Sequence, residues 1–385
     1  MRFEFATATR IIFGAGTLPQ AAAAAQDMGR RALLVTDPRT ATLSRPLSEA
    51  LTARGIEQSM CCITGEPTTD IVTVGLQRAH DNACDIVIGI GGGSVLDTAK
   101  AIAALMTNTG EILDYLEVIG KGRALIRPAA PCIAIPTTAG TGAEVTRNAV
   151  LTSPTHGVKV SLRSPWLLPR LALIDPELTI SLPPDLTATT GMDALTQLIE
   201  PFVCTRATPL TDAICRLGLP LIARSLRSAC AQQTNIEART NMSLASLCGG
   251  LALANAGLGA VHGLAAPMGG MFTAPHGAIC ARLLPEVMQA NVNALRQRQP
   301  HSPALERYVE IARLLTDNSS ASAEEGIAWV RELVADLHIP PLSTWGVPAE
   351  AASAIVEKAL AASSMQANPI PLTPPELHTI LEKAW

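Results

Sequence analysis

The sequence predicts an α/β domain over residues 1–178 followed by an all-α domain over residues 179–385, and three observations carry this. In the first part, short apolar, β-branched runs alternate with helical stretches, the pattern of a mainly parallel sheet covered by helices. From Leu182-Pro183-Pro184 onward those runs vanish, and long Ala/Leu/Ile segments are separated only by polar loops. A chain of 385 residues is also long enough for two domains with ample cores.

The elements follow in order. Leu18 to Met28, with alanine at every position from 21 to 25, reads as helix. Ala32-Leu33-Leu34-Val35-Thr36 is a strand that ends at Asp37-Pro38. Ile86-Val87-Ile88-Gly89-Ile90 is another, and it passes through Gly91-Gly92-Gly93-Ser94 into a helix from Val95 to Met106. Cys132-Ile133-Ala134-Ile135 is a third, opening into Pro136-Thr137-Thr138-Ala139-Gly140-Thr141-Gly142. Lys159 falls in a further short strand before Trp166, where a solvated charge is its plainest role. In the second part, polar loops at Arg296 to Pro303, Thr316 to Ser322 and Ile339 to Pro348 divide the helices. The apolar stretch Cys248 to Phe272 reads as tightly packed internal helix and not as a membrane span.

Composition narrows the function classes. With 48 % hydrophobic and 3 % aromatic residues and a formal net charge of -4, the chain is neither a disordered polymer nor basic enough for nucleic acid. Its nine cysteines include the adjacent pair Cys61-Cys62 and scattered singles without a C-x-x-C pair, which points to reduced thiols in a cytoplasm. The start, Met-Arg-Phe-Glu-Phe-Ala, carries an acid early and lacks the apolar core of a signal peptide. The expectation is a cytoplasmic enzyme acting on a small molecule, with no nucleic-acid or membrane partner.

Two constellations carry chemistry. The first is the strand–turn–helix from Asp85 to Lys100, with Gly91, Gly92, Gly93, Ser94 and Asp97. A glycine turn aims unpaired backbone N–H groups at an anion, and a helix N-terminus adds partial positive charge. Ser94 stands where the last Gly of G-x-G-x-x-G would be. The Thr137-Thr138-Ala139-Gly140-Thr141 loop follows the next strand, and ligands of open α/β sheets bind at strand C-terminal ends. Asp37 can accept hydrogen bonds from an adenosine ribose and repel a 2′-phosphate, favouring NAD over NADP; the competing role is an Asp that starts a turn.

The second constellation is Asp193, Gln197, His262 and His276. Asp193 and Gln197, one helical turn apart, present two oxygen ligands from one face. On a continuous helix His262 and His276 would be about 21 Å apart. Pro267, Gly269, Gly270 and Pro275 predict that the chain instead turns back, bringing both imidazoles to one ion. Cys280 reads as a small buried thiol. Arg147 and Asn148 could reach an acidic substrate or serve ordinary pairing, while His80, His156, His301, His338 and His378 read as nonfunctional.

These motifs resemble the iron-containing (group III) alcohol dehydrogenase family. The resemblance rests on Gly91-Gly-Gly-Ser94, Pro136 through Thr146, Asp175-Pro-Glu-Leu178, Gly191-Met-Asp-Ala-Leu195, His262 and Pro275-His276-Gly277, in that order along essentially the whole chain. It implies an N-terminal Rossmann-like dinucleotide-binding domain and a C-terminal helical domain of the architecture shared with dehydroquinate synthase. Between them it implies a cleft where a divalent metal, Fe or Zn, faces the nicotinamide. The activity it implies is NAD-dependent, metal-assisted hydride transfer between an alcohol and its aldehyde or ketone, in a homodimer or larger homo-oligomer. Carried over by residue, Asp193, His262 and His276 match metal ligands and are the catalytic candidates. Gly92, Gly93, Ser94, Thr137, Thr138 and Thr141 match cofactor contacts, with Gly91 and Asp97 in the same turn, and Asp37 matches the residue associated with NAD preference.

Two departures stand out. The family usually has His where this chain has Gln197, an amide oxygen that binds late transition metals less well. It often has a further His where this chain has Ala266, which removes a candidate proton relay. Alternatives are a metal-independent reductase of the maleylacetate reductase type, for which Gln197 would mark metal loss, and a dehydroquinate synthase-like lyase that recycles its bound NAD.

Overall fold

A computed structural model describes residues 2–385, which form two compact units. One comprises Phe5–Thr138 and Gly142–Ile180; the other comprises Ser181–Trp385 with Ala139–Thr141 and residues 2–4.

The first unit is built on a six-stranded sheet, parallel throughout. Its strands are β1 (Ile11–Phe13), β2 (Arg31–Thr36), β3 (Glu57–Cys62), β4 (Ile86–Gly91), β5 (Cys132–Pro136) and β8 (Leu171–Ile174), in the order β1-β8-β5-β4-β2-β3. β6 (Asn148–Ser153) and β7 (Val158–Arg163) form a separate antiparallel hairpin. β4 and β5 are buried at every position, as continuous apolar runs predict for strands covered on both faces. Along the strands, Leu33, Val35 and Val87 pack into one core and Leu34, Ile86, Ile88 and Ile90 into the other.

From β2 the chain moves outward to β3 and then returns to the opposite side with β4, β5 and β8. The order therefore reverses between β2 and β4, and the crevice at such a switch point is where open α/β sheets take ligands. Asp37 follows β2 and the glycine turn follows β4, so both candidate loops flank it. The helix Gly93–Leu105 packs closely behind that turn: a Cβ on Gly91 would come within 2.5 Å of Val95 Cγ2.

A buried polar knot ties this helix to the hairpin. Lys100, 1 % exposed, donates to Ala143 O at 2.9 Å and Thr146 Oγ1 at 3.0 Å. It also pairs with Asp97 Oδ1 at 3.0 Å, while Asp97 Oδ2 accepts the Val150 N–H at 3.0 Å. Glu144 lies buried in the same region, and burial, only partly offset by a backbone hydrogen bond and by Lys100, pushes its carboxyl from 4.5 up to about 7. The fold thus favours the protonated form. Stability is expected to be full below about pH 4.5 and to fall by about 3 kcal/mol as pH rises through 7. Denaturant titrations across that range should show the decline in wild type and a flattened one in Glu144→Gln; an identical slope in both would exclude Glu144 as its source.

The second unit is helical. Pro184–Val203 packs against Pro209–Ala231, Ile236–Asn255 and His276–Arg298, and from Gly191 to Val203 it is buried at every position. The chain bends by 96° between Ile236–Asn255 and Ala260–Met271. No single helix among the described residues is long and apolar enough to cross a membrane.

One local expectation is corrected. Pro267, Gly269 and Gly270 do not turn the chain: Ala260–Met271 stays helical through all three, and the reversal comes at residues 272–275. Pro267 forfeits one backbone bond toward Gly263. The buried face of Val261, Leu264, Ala265 and Met268 holds the helix together regardless.

Candidate active site

Three carboxyl or amide side chains project from one face of the helix Pro184–Val203: Asp193, Gln197 and Glu200, at i, i+4 and i+7. All three are buried. His262 lies in the first turn of Ala260–Met271, and His276 is the first residue of His276–Arg298, with Cys280 one turn further on. The reversal at 272–275 brings the two imidazole centroids to 5.4 Å. Asp193 Oδ1 is 3.5 Å from His262 Nε2 and 3.7 Å from His276 Nε2. Asp193, His262, His276 and Cys280 each bring one donor atom within 4.8 Å of the others.

Glu200 completes the arrangement, and the sequence reading missed it. Its Oε2 lies 2.6 Å from His262 Nδ1, and its Oε1 accepts the Val261 N–H at 2.7 Å. That N–H is one of the donors a helix N-terminus leaves without an intrahelical partner. With Nδ1 held by Glu200, the Nε2 of His262 is the nitrogen on the side of Asp193, the carboxylate–histidine arrangement that orients metal-binding imidazoles. The third acid-or-amide position on the Asp193/Gln197 face was the available signal.

The electrostatics ask for a cation. Burial alone would lower the His262 imidazole, but the carboxylates of Glu200 and Asp193 outweigh it and hold it up at about 10. Burial likewise raises the Asp193 carboxyl, and His262 and His276 outweigh that, holding it below its ordinary value. Gln197 Nε2 donates to Asp193 Oδ2 at 3.0 Å. Asp193 Oδ1 is a buried acceptor without a hydrogen-bond donor, a costly condition that a bound cation relieves. One carboxylate with an uncommitted oxygen and two imidazoles therefore fit a divalent metal.

The dinucleotide candidates other than Thr141 sit in the sheet unit. Gly92 caps the helix Gly93–Leu105 in extended conformation, and a Cβ there would meet only Thr138, at 3.4 Å from Cγ2. The Thr137 N–H donates to Gly91 O at 3.0 Å, which holds the threonine loop against the glycine turn. Gly93 and Ser94 lie in the first turn of that helix, where backbone N–H groups lack intrahelical partners and suit an anion. Thr141 groups with the helical unit, where Gly140 closes against Thr190. Asp37 Oδ1 accepts the N–H groups of Arg39 at 2.7 Å and Thr40 at 3.1 Å, so this carboxylate does shape a turn. Asp97 is committed to Lys100 and Val150. Lys159, its side chain mostly buried, pairs with the exposed Glu66 at 3.1 Å.

Because a Cβ at Gly92 would meet only the Thr138 side chain, at van der Waals contact, Gly92→Val should fold normally yet block the approach of a pyrophosphate. Loss of one hydrogen bond to a charged group costs about 1.5–3 kcal/mol, so NAD affinity should fall roughly 10- to 100-fold. Calorimetry giving wild-type affinity in a folded Gly92→Val protein would place the phosphate cradle elsewhere.

Comparison with known proteins identifies the family. Residues 8–176 match the family model described as iron-containing alcohol dehydrogenase. Residues 187–385 match the model for the C-terminal domain of the Fe-containing alcohol dehydrogenase family. The chain is similar to long-chain-alcohol dehydrogenase 1 of Geobacillus thermodenitrificans, 36 % identical over 98 % of this chain and 96 % of the relative. Its structure is similar to that of a 1,3-propanediol oxidoreductase, with TM-score 0.93, 34 % identity and full coverage of both chains. It is also similar to a sulfoacetaldehyde reductase from Bifidobacterium kashiwanohense in complex with NAD+, with TM-score 0.88, 28 % identity and coverage of 100 % and 99 %. The chain belongs to the iron-containing alcohol dehydrogenase family: it is an NAD-dependent, metal-using oxidoreductase that interconverts alcohols and aldehydes.

Proposed function

We propose that Asp193, His262 and His276 hold the divalent metal of this reaction and that the glycine turn, the threonine loop and Asp37 hold NAD. The observation that carries the metal reading is Asp193 Oδ1, buried, without a hydrogen-bond donor, and facing the Nε2 atoms of both histidines. When bound, the metal supplies Lewis acidity toward a hydroxyl or carbonyl oxygen, and the nicotinamide supplies a hydride acceptor or donor. The protein's own part is placement. Glu200 fixes the His262 tautomer, and the buried helix face fixes Asp193. One carboxylate and two neutral imidazoles leave part of a divalent charge uncompensated, the condition for activating a hydroxyl.

The test is metal analysis of protein purified without chelator, paired with NADH formation from a panel of alcohols before and after metal removal. Bound metal, activity lost on its removal and activity regained on its return are the expected results. Full turnover by rigorously metal-free protein would move the chain to the metal-independent reductase reading.

Asp37 is proposed to face the adenosine ribose. Asp37→Gly should then raise the efficiency with NADP relative to NAD, because it removes the repulsion toward a 2′-phosphate. An unchanged cofactor ratio in that variant would sink the assignment and leave Asp37 its turn alone. We read the chain further as cytoplasmic, in keeping with its nine free cysteines, and as a homodimer or larger assembly, which light scattering coupled to gel filtration checks.

A further inference from the structure

We infer that Cys280 is the fourth metal ligand of this chain, so that the shell is Asp193, His262, His276 and Cys280, with Gln197 positioning Asp193 from outside it. This rests on the reading that Asp193 and the two histidines hold a divalent metal. It departs from the expectation that Gln197 supplies a ligand and that Cys280 is only a packing thiol.

The distances carry it. Around a tetrahedral ion with bonds of about 2.0–2.1 Å to nitrogen or oxygen and about 2.3 Å to sulfur, the ligand–ligand edges come out at about 3.4 Å for O–N and about 3.6 Å for S–N. Here Asp193 Oδ1 stands 3.5 and 3.7 Å from the two imidazole Nε2 atoms, and Cys280 Sγ stands 3.6 Å from His276 Nε2. All four donors lie within 4.8 Å of one another. Cys280 is fully buried on the helix His276–Arg298, one turn after His276, so both side chains leave the same helix face. The buried, unpartnered Asp193 Oδ1 faces the same point.

Gln197 has other commitments. Its Nε2 donates to Asp193 Oδ2, which leaves Oδ1 as the oxygen free for a cation. Its Oε1 packs toward the helix Ile236–Asn255, where a Cβ added at Gly249 would come within 3.3 Å of it. An amide so placed orients the carboxylate, as outer partners of metal ligands do.

The chemical consequence is a softer centre with two anionic ligands, less charged than the three-ligand set, which would take a substrate oxygen as a fifth donor. Thiolate with imidazole and one carboxylate favours zinc over magnesium, calcium or manganese. On binding, the Cys280 thiol gives up its proton to solvent and the sulfur lone pair forms the metal bond.

Cobalt(II) reports this directly. Full-length protein loaded with one equivalent of cobalt should show a near-ultraviolet sulfur-to-cobalt charge-transfer absorption beside its visible bands. Cys280→Ser and Cys280→Ala should keep the visible bands and lose that absorption, with zinc held at least roughly tenfold more weakly against a chelator. Gln197→Ala should keep the absorption. X-ray absorption of zinc-loaded wild type, which needs no variant, should find one sulfur at about 2.3 Å. Cobalt bound in an Asp193-dependent way without Cys280-dependent charge transfer, or zinc with only nitrogen and oxygen neighbours, would overturn the thiolate ligand and leave the metal reading standing. Failure to bind cobalt at all would overturn both.

Discussion

Asp193→Ala is expected to lose retained metal and NAD-linked turnover together. Asp193 is the carboxylate that both histidines face, at 3.5 and 3.7 Å, and its Oδ1 has no other partner. Removing one member of a buried charged set costs about 3–5 kcal/mol, which is roughly 10²- to 10⁴-fold in metal affinity. The fold should survive, since the helix Pro184–Val203 is anchored by the apolar side chains of Leu195, Leu198, Ile199 and Phe202. Asp193→Asn separates charge from shape: the amide keeps the volume and still serves Gln197, yet brings no negative charge to the ion. Metal analysis after gel filtration, with turnover measured on the same sample, reads both variants. Wild-type metal content and turnover in either would take the carboxylate out of the centre.

How much was legible in the sequence follows from burial. β2, β4 and β5 could be read because strands covered on both faces are continuous apolar runs. β3, with the sequence EQSMCC, lies at the sheet edge and carries the mixed polarity of an exposed strand, and β1 is only three residues long. Neither offers a pattern to count. The all-helical second unit was legible because strand-like runs stop and helical periodicity takes over. Where its chain reverses was not, since tertiary burial overrode the local propensities of Pro267, Gly269 and Gly270.

The candidate site divides in the same way. Asp193, His262 and His276 could be named from residue type, and the structure brings them together at the cost of only a short reversal. Glu200 and Cys280 could not. A single Glu on a helix and a single Cys after a His are common, and only the packing of three separate helices shows what they face. Spacing along one helix put Gln197 on the face of Asp193, but could not show that its Nε2 donates to Asp193 Oδ2.

Glu200→Gln should expose how much of the centre depends on a residue that touches no reacting atom. The carboxylate accepts from two donors at once, His262 Nδ1 at 2.6 Å and the Val261 N–H at 2.7 Å. An amide has one acceptor oxygen for the pair. If that oxygen serves His262, the NH₂ group is set against the Val261 N–H; if it serves Val261, the NH₂ group faces the Nδ1–H, so one donor is left unmatched in either rotamer. The lost charge also removes part of what raises His262 to about 10 in the metal-free protein, so its imidazole should titrate nearer neutrality. Outer partners of metal-bound histidines are worth about 10- to 100-fold in metal affinity, and a loss of that size is expected here. The KM for NAD should stay near wild type, because the glycine turn is untouched, and Glu200→Asp should recover part of the loss by restoring the charge. Chelator competition together with NMR titration of the His262 ring reads the two effects separately. Unaltered metal retention and an unmoved His262 titration in Glu200→Gln would reduce Glu200 to a cap on the helix Ala260–Met271.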